Sequence, residues 1–459
     1  MTEPPNNDDA AHPDPNEAWN EWLRQFGIPV PPGGFNLQAM LAQMQQAMQA
    51  GRFGPASASG VNWAQAKAAA RRVVASQGPD PTPSQRAQRE LADADRLAEL
   101  WLDQATTFPQ LSLTAVCWSR ADWVEHTMDA WRTVVEPIVT SIADALAGML
   151  GQESEEASAP PELAALSAML TPLLRQAAGS MYGLQVASAI GTLASQVVSG
   201  SDIGLQLLDT PRVVLVPGNL SVFSEGLEVS QEDVLLWLVL RESARQRLFT
   251  QVGWLGPQLL AMLEHYAREI TIDTSAISSA LDLDDISELT PQKLAEVSAQ
   301  LQGRLFSPSR TPEQEQILVR LETSLALIEG WVDVVTEQAA QPWLPDAAAL
   351  AEAVRRRRAA GGPAEKLFRT LVGLELRPRR VRDAANLWAA LQQARGITAR
   401  DATWAHPDFM PTTQDLDDPL GFVAGENRGS TPDEWDKDLA RLLNDQNPPD
   451  QHPHDGEAS

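Results

Sequence analysis

Apolar residues recur at helical spacing along most of the chain, a pattern that predicts a mainly α protein. Leu91, Leu97, Leu100 and Trp101 mark a helix over Thr82 to Gln104, and Trp123, Val124, Met128 and Trp131 mark another over Arg120 to Leu150. Ser230 followed by Asp233 predicts an N-terminal cap, because a serine hydroxyl there accepts from an amide of the first turn. The run after it, Val234, Leu235, Trp237, Leu238, Leu240, Ala244 and Leu248, covers most sides of a helix and predicts that it is buried, with Trp237 as a core residue. Further helices fit Gly256 to Ile270, Thr311 to Gln338, Asp346 to Ala359, Ala364 to Leu374 and Pro378 to Gln393. Pro257, Pro312 and Pro363 fall at helix starts, where a missing N–H is harmless. Arg212 to Phe223 differs: its β-branched residues, broken by Pro217-Gly218-Asn219, predict a small β-hairpin beside the helices.

Breaks in this pattern suggest boundaries. Residues 1–18 are rich in proline and acid and lack apolar periodicity, so they are expected to be a disordered tail, as is 426–459. Trp19 to Phe26 and Asn36 to Gln49 read as short helices. Leu37, Met40, Leu41, Met44 and Met48 in the second form a stripe that either packs on the body or grips a protein or peptide partner. Gly151 to Pro161 reads as a charged linker between an N-terminal helical region, 19–150, and a second helical domain, 162–425.

Charge narrows the partners. The formal net charge is −26, of which the two tails hold −11 and the body −15. A surface this acidic disfavours phosphate backbones, so no nucleic acid is expected. Arg355 to Arg358, with Arg377, Arg379, Arg380 and Arg382, reads as a solvated surface patch. The least polar long stretch, Met181 to Gly200, is interrupted by Gln185, Ser188, Ser195 and Gln196, which argues against a membrane span. A single cysteine, Cys117, and no leader pattern at Met1 suggest a cytoplasmic protein. Cys117 lies among apolar neighbours that raise a thiol's pKa, an inert setting.

One constellation carries chemistry. Arg241-Glu242-Ser243-Ala244-Arg245 interrupts the apolar helix at 230–250 with the spacing of an HExxH motif. In that motif two histidines four apart stack along the helix to hold Zn²⁺, and the glutamate polarises the attacking water. Here both histidine positions are arginine. Downstream, Glu329-Gly330-Trp331-Val332-Asp333 reads E-x-x-x-D on another apolar helix, with Trp331 expected in the core.

The stretches at 118–127, 197–208, 223–249, 326–335 and 367–388 together resemble the actinobacterial zinc-dependent metalloprotease-like family. The resemblance runs from about Trp19 to Val423. It implies a zincin-like multi-helical fold in which the helix at 230–250 faces the one at 311–338. It also implies Glu242 as the position of the general base, Glu329 as that of the third zinc ligand and Asp333 as a supporting carboxylate. Because arginine keeps its proton and has no lone pair to donate, the expectation is no bound zinc, hence no cofactor. His126, His265 and His406 do not rescue the site by spacing, since none has a histidine three or four residues away. Arg241 and Arg245 are expected to bring two positive charges where the metal stood and to pair with Glu242, Glu329 and Asp333. The alternative is that both simply reach solvent. Two functions compete: a pseudo-hydrolase or binding scaffold, and a hydrolase that uses Glu242 as base with help supplied from elsewhere.

Overall fold

Local capping starts several helices where the sequence places them. The Ser84 and Ser230 hydroxyls accept from the amides of Ala87 and Asp233, and Thr311 forms a full capping box with Gln314 ahead of Pro312. A computed structural model describes residues 60–156, 179, 182–269, 311–362, 365, 367–369 and 380–425, with the backbone alone at 141–156. Its principal helices are α1 (Trp63–Ser76), α2 (Gln85–Leu102), α3 (Arg120–Glu156), α4 (Gln231–Gln251), α5 (Leu255–Arg268), α6 (Pro312–Ala340), α7 (Ala347–Ala359) and α8 (Val381–Ala402). The expected tails and the short helices at 19–26 and 36–49 lie outside the described residues. Most of the expected 364–374 helix does too. The stretch at 151–161 is described only as far as 156, where α3 continues into it.

α4 and α6 run through the middle. α4 is buried almost throughout from Val234 to Phe249, which is why its sequence is apolar on nearly every side. α6 packs against α8, α4, α5 and α2. Gly330 permits a close approach to α8, since a Cβ there would come within 2.7 Å of the Ala385 backbone nitrogen and 2.8 Å of Ala384 Cβ. One step along, Trp331 is fully buried, and its indole donates to Asp401 Oδ1 at 3.0 Å. Trp237 is equally buried. The buried apolar cluster takes residues from Val61 to Phe422, on both sides of the expected linker.

The expected hairpin at 212–223 is corrected. Val214–Leu215 (β2) does form a strand, but it pairs in parallel with Val116–Cys117 (β1), nearly one hundred residues earlier. Pro217–Asn219 form a 3-10 turn and Leu220–Phe223 a helical turn. Proline at 217 has no amide to donate, so a returning antiparallel strand would lack a ladder bond there. On its other side β2 holds the segment 198–201: Val216 N donates to Val198 O and Gly200 N to Val214 O, at 2.9 and 3.0 Å. That ladder matters because this segment reaches the candidate site.

Cys117 is half-buried, and desolvation pushes its thiol up to about 11. Among the described residues no helix is long and apolar enough to cross a membrane.

Candidate functional site: a buried network of arginines and carboxylates

Residues four apart stack along a helix, so Arg241 and Arg245 present one face of α4, and Glu329 and Asp333 one face of α6. The structure brings these two faces together. Arg241 Nη1 donates to Asp333 Oδ1 at 2.5 Å and its Nη2 to Glu329 Oε2 at 3.0 Å. Arg245 Nε and Nη2 reach Glu329 Oε1 at 2.9 and 2.8 Å, and its Nη1 reaches Glu242 Oε2 at 3.1 Å. All five residues are buried, the most accessible being Asp333 at 9%.

Glu242 points to the side of the network formed by the 198–201 segment. Its carboxylate accepts from Ser199 Oγ at 2.7 Å, from Ser201 Oγ at 2.8 and 2.9 Å, from Ser201 N at 3.1 Å and from Gln246 Nε2 at 3.0 Å. With Arg245 added, both oxygens are surrounded by donors. β2 positions the two serines by holding their backbone.

A third guanidinium comes from α7. Arg358 donates to Asp333 Oδ2 from Nη1 at 3.0 Å, and its Nη2 contacts Glu329 Oε2 closely. The preceding Arg357 turns inward to Asp202, Nη2 to Oδ2 at 2.9 Å. The sequence-based reading of Arg355 to Arg358 as a solvated patch is thus corrected for its last two members. Arg356 fits that reading: its side chain is 77% exposed and pairs with Glu352, four positions back on the same helix. Four successive arginines on a helix must point around its axis, and α7 lies with one side against this network.

Three guanidiniums, Arg241, Arg245 and Arg358, therefore face three carboxylates, Glu242, Glu329 and Asp333. Burial alone would raise the Asp333 and Glu329 carboxyls, but the adjacent arginines outweigh it and hold both below the usual carboxylate range. Burial lowers Arg241, whereas for Arg245 and Arg358 the surrounding carboxylates overcome burial and raise them. Glu329 and Asp333 therefore stay ionised against the three arginines. Beside it lies a cavity of about 700 Å³ between α4, α6, α7 and α8, with Leu238, Val334, Val354 and Val381 on its apolar walls and Arg382 and Asn386 among its polar ones. Arg241, Arg245, Glu329, Asp333 and Arg358 form its charged side.

Residues 61–423 match the family model described as zincin-like metallopeptidase, and the chain belongs to that family. The fold is similar to the crystal structure of "a putative hydrolase with a novel fold" from Chloroflexus aurantiacus, with a TM-score of 0.54 over 81% of this chain and 100% of that chain. At 19% identity that likeness concerns the fold alone. No curated protein matches the chain.

Zincin-like proteins normally bind zinc, and the expectation of no zinc and no cofactor is corrected on two findings. One is the family itself; the other is a group formed by His265, Glu269 and Glu313, which offer one potential ligand atom each within 4.8 Å of one another. Spacing between histidines missed this group because it contains only one histidine. Glu269 stands one turn from His265, and Glu313 arrives from a different helix. The residues at 241–245 and 329–333 do not fit a metal: Arg241 and Arg245 have no lone pair to give, and Glu329 and Asp333 are paired with them.

Proposed function

We propose that this chain is a non-catalytic relative of the metallopeptidases, a binding scaffold in which an arginine and carboxylate network replaces the hydrolytic centre at the motif. The observation that carries this reading is the state of Glu242. A general base needs a lone pair facing the water it activates. Both Glu242 oxygens instead accept hydrogen bonds from Ser199, Ser201, Gln246 and Arg245. The positive charge a metal would bring is supplied by Arg241, Arg245 and Arg358, and it is spent on Glu329, Asp333 and Glu242 rather than on a substrate carbonyl.

The adjoining cavity supports binding, being within the volume range of ligand pockets and combining apolar walls with a few polar groups. A protein or peptide partner that inserts an apolar side chain between α4, α6, α7 and α8 is the reading we favour. Cleavage of a fluorogenic peptide library by the purified chain is the test. Turnover no greater than that of a Glu242→Gln variant is expected. Turnover that the variant abolishes would make Glu242 a working base and overturn the proposal.

A further inference from the structure

We propose that the end of α5 and the first turn of α6 form a binding site for one divalent transition-metal ion, with His265, Glu269 and Glu313 as its ligands. His265 lies in the last turn of α5 and Glu269 is its C-cap, four residues on, so the two stand one above the other at the end of the helix. Glu313 reaches them from the N-terminus of α6, with its Oε1 3.1 Å from His265 Nε2. The ligand atoms of all three lie within 4.8 Å of one another, close enough to converge on one ion after small side-chain rotations.

The two helix ends are held together by buried contacts, not by the surface side chains alone. Tyr266, next to His265, and Gln314, next to Glu313, are both buried, and the Gln314 amide donates to the Tyr266 carbonyl at 3.5 Å. Gln314 is also the capping-box partner of Thr311, which fixes the first turn of α6 from which Glu313 projects. The third ligand is thereby delivered to the first two by the packing of the fold.

One imidazole nitrogen and two carboxylate oxygens suit Zn²⁺, Co²⁺ or Mn²⁺, with water completing the coordination. The C-terminal end of α5 adds negative character, which the positive end of α6 partly opposes. Arg268, the nearest base in the sequence, is engaged with Glu264 and leaves the carboxylates to the ion. His265 and Glu313 are exposed, so an ion reaches them directly from solvent. None of the three lines the cavity beside the arginine network, so this site stands or falls separately from the function proposed above.

The test is titration of the full chain with ZnCl₂ by calorimetry, paralleled by CoCl₂ with detection of the visible bands of bound Co²⁺. One equivalent of ion is expected. His265→Ala and Glu313→Gln should each weaken Zn²⁺ binding at least about tenfold, or about 1.4 kcal/mol, and His265→Ala should remove or shift the Co²⁺ bands. Both positions are on the surface, so unchanged near-UV circular dichroism separates lost ligation from lost folding. The pair His452→Ala with His454→Ala controls for the C-terminal histidines and should leave binding unchanged. Equal Zn²⁺ affinity in wild type, His265→Ala and Glu313→Gln would overturn the proposal, as would loss of binding in the C-terminal pair. So would a wild-type Kd weaker than about 0.1 mM.

Discussion

On one side of α4, Arg241 and Arg245 join Arg358 against Glu242, Glu329 and Asp333; on the opposite side, Arg247 alone faces Glu99 and Asp103, with Asp95 close by. The helix turns about 100° per residue, so Ser243 and Arg247 point away from the first group. The balanced side has matched its charges, and the Glu329 and Asp333 carboxyls are held low. The other is short of positive charge. Arg247 is fully buried, and its guanidinium spans Phe108 O, Glu99 and Asp103 at 2.8 to 2.9 Å. Yet among the described residues Arg247 Nε and Glu99 Oε1 are buried without a hydrogen-bond partner. Burial first, and then the Glu99 charge, push Asp95 up to about 6. Two charged clusters on one helix thus respond to burial in opposite ways, according to whether each charge finds a partner.

The largest effect should follow from unbalancing the matched side. Arg245→Ala leaves Glu242 and Glu329 buried with one guanidinium fewer, and removal of one partner from a buried ion pair typically costs roughly 3 to 5 kcal/mol. Glu329→Ala, which strands three arginines, should be comparable. Chemical denaturation reads both, and a wild-type midpoint in the two variants would mean that the network contributes nothing to stability. Arg358→Ala should cost less, about 2 kcal/mol, because that side chain keeps some contact with solvent. Arg356→Ala, two positions earlier, should leave the midpoint unchanged because it is exposed. Equal effects at 356 and 358 would break the distinction drawn within that arginine run.

The underbalanced side should respond with the opposite sign. A carboxyl whose folded pKa is raised makes the folded chain hold its proton more tightly than the unfolded chain does. Stability is therefore lost as pH rises from about 4, the unfolded value, through about 6. Two pK units correspond to roughly 3 kcal/mol at most, and solvent screening of this partly exposed group reduces that to about 1 kcal/mol. Asp95→Asn should stabilise the chain by that amount at pH 7 and leave it nearly unchanged at pH 4. For Glu329 and Asp333 the sign reverses, because their folded pKa values are depressed. Their contribution is complete above the unfolded carboxylate range and is lost as pH falls below about 4. Denaturation midpoints of wild type and Asp95→Asn across pH 3 to 8 would expose both slopes.

Much of the fold was legible in the sequence because it is set over short distances. The Ser230 and Thr311 caps, the apolar surround of α4, the buried Trp237 and Trp331, and the i, i+4 pairs at 241 and 245 and at 329 and 333 all follow from residues within a few turns of one another. Only the tertiary structure decided which surfaces meet. β2 pairs with a strand nearly one hundred residues earlier, and no local pattern carries that register. Ser199 and Ser201 surround Glu242 because β2 holds their backbone; a serine in a loop has no spacing that announces such a role. Arg357 and Arg358 looked solvated because four arginines in a row have no apolar face, and their carboxylate partners at 202, 329 and 333 come from other segments. His265 has no histidine neighbour in the sequence, and Glu313 reaches it from a helix more than forty residues on. Helix periodicity determines which side chains share a face, but long-range packing alone determines what that face is packed against.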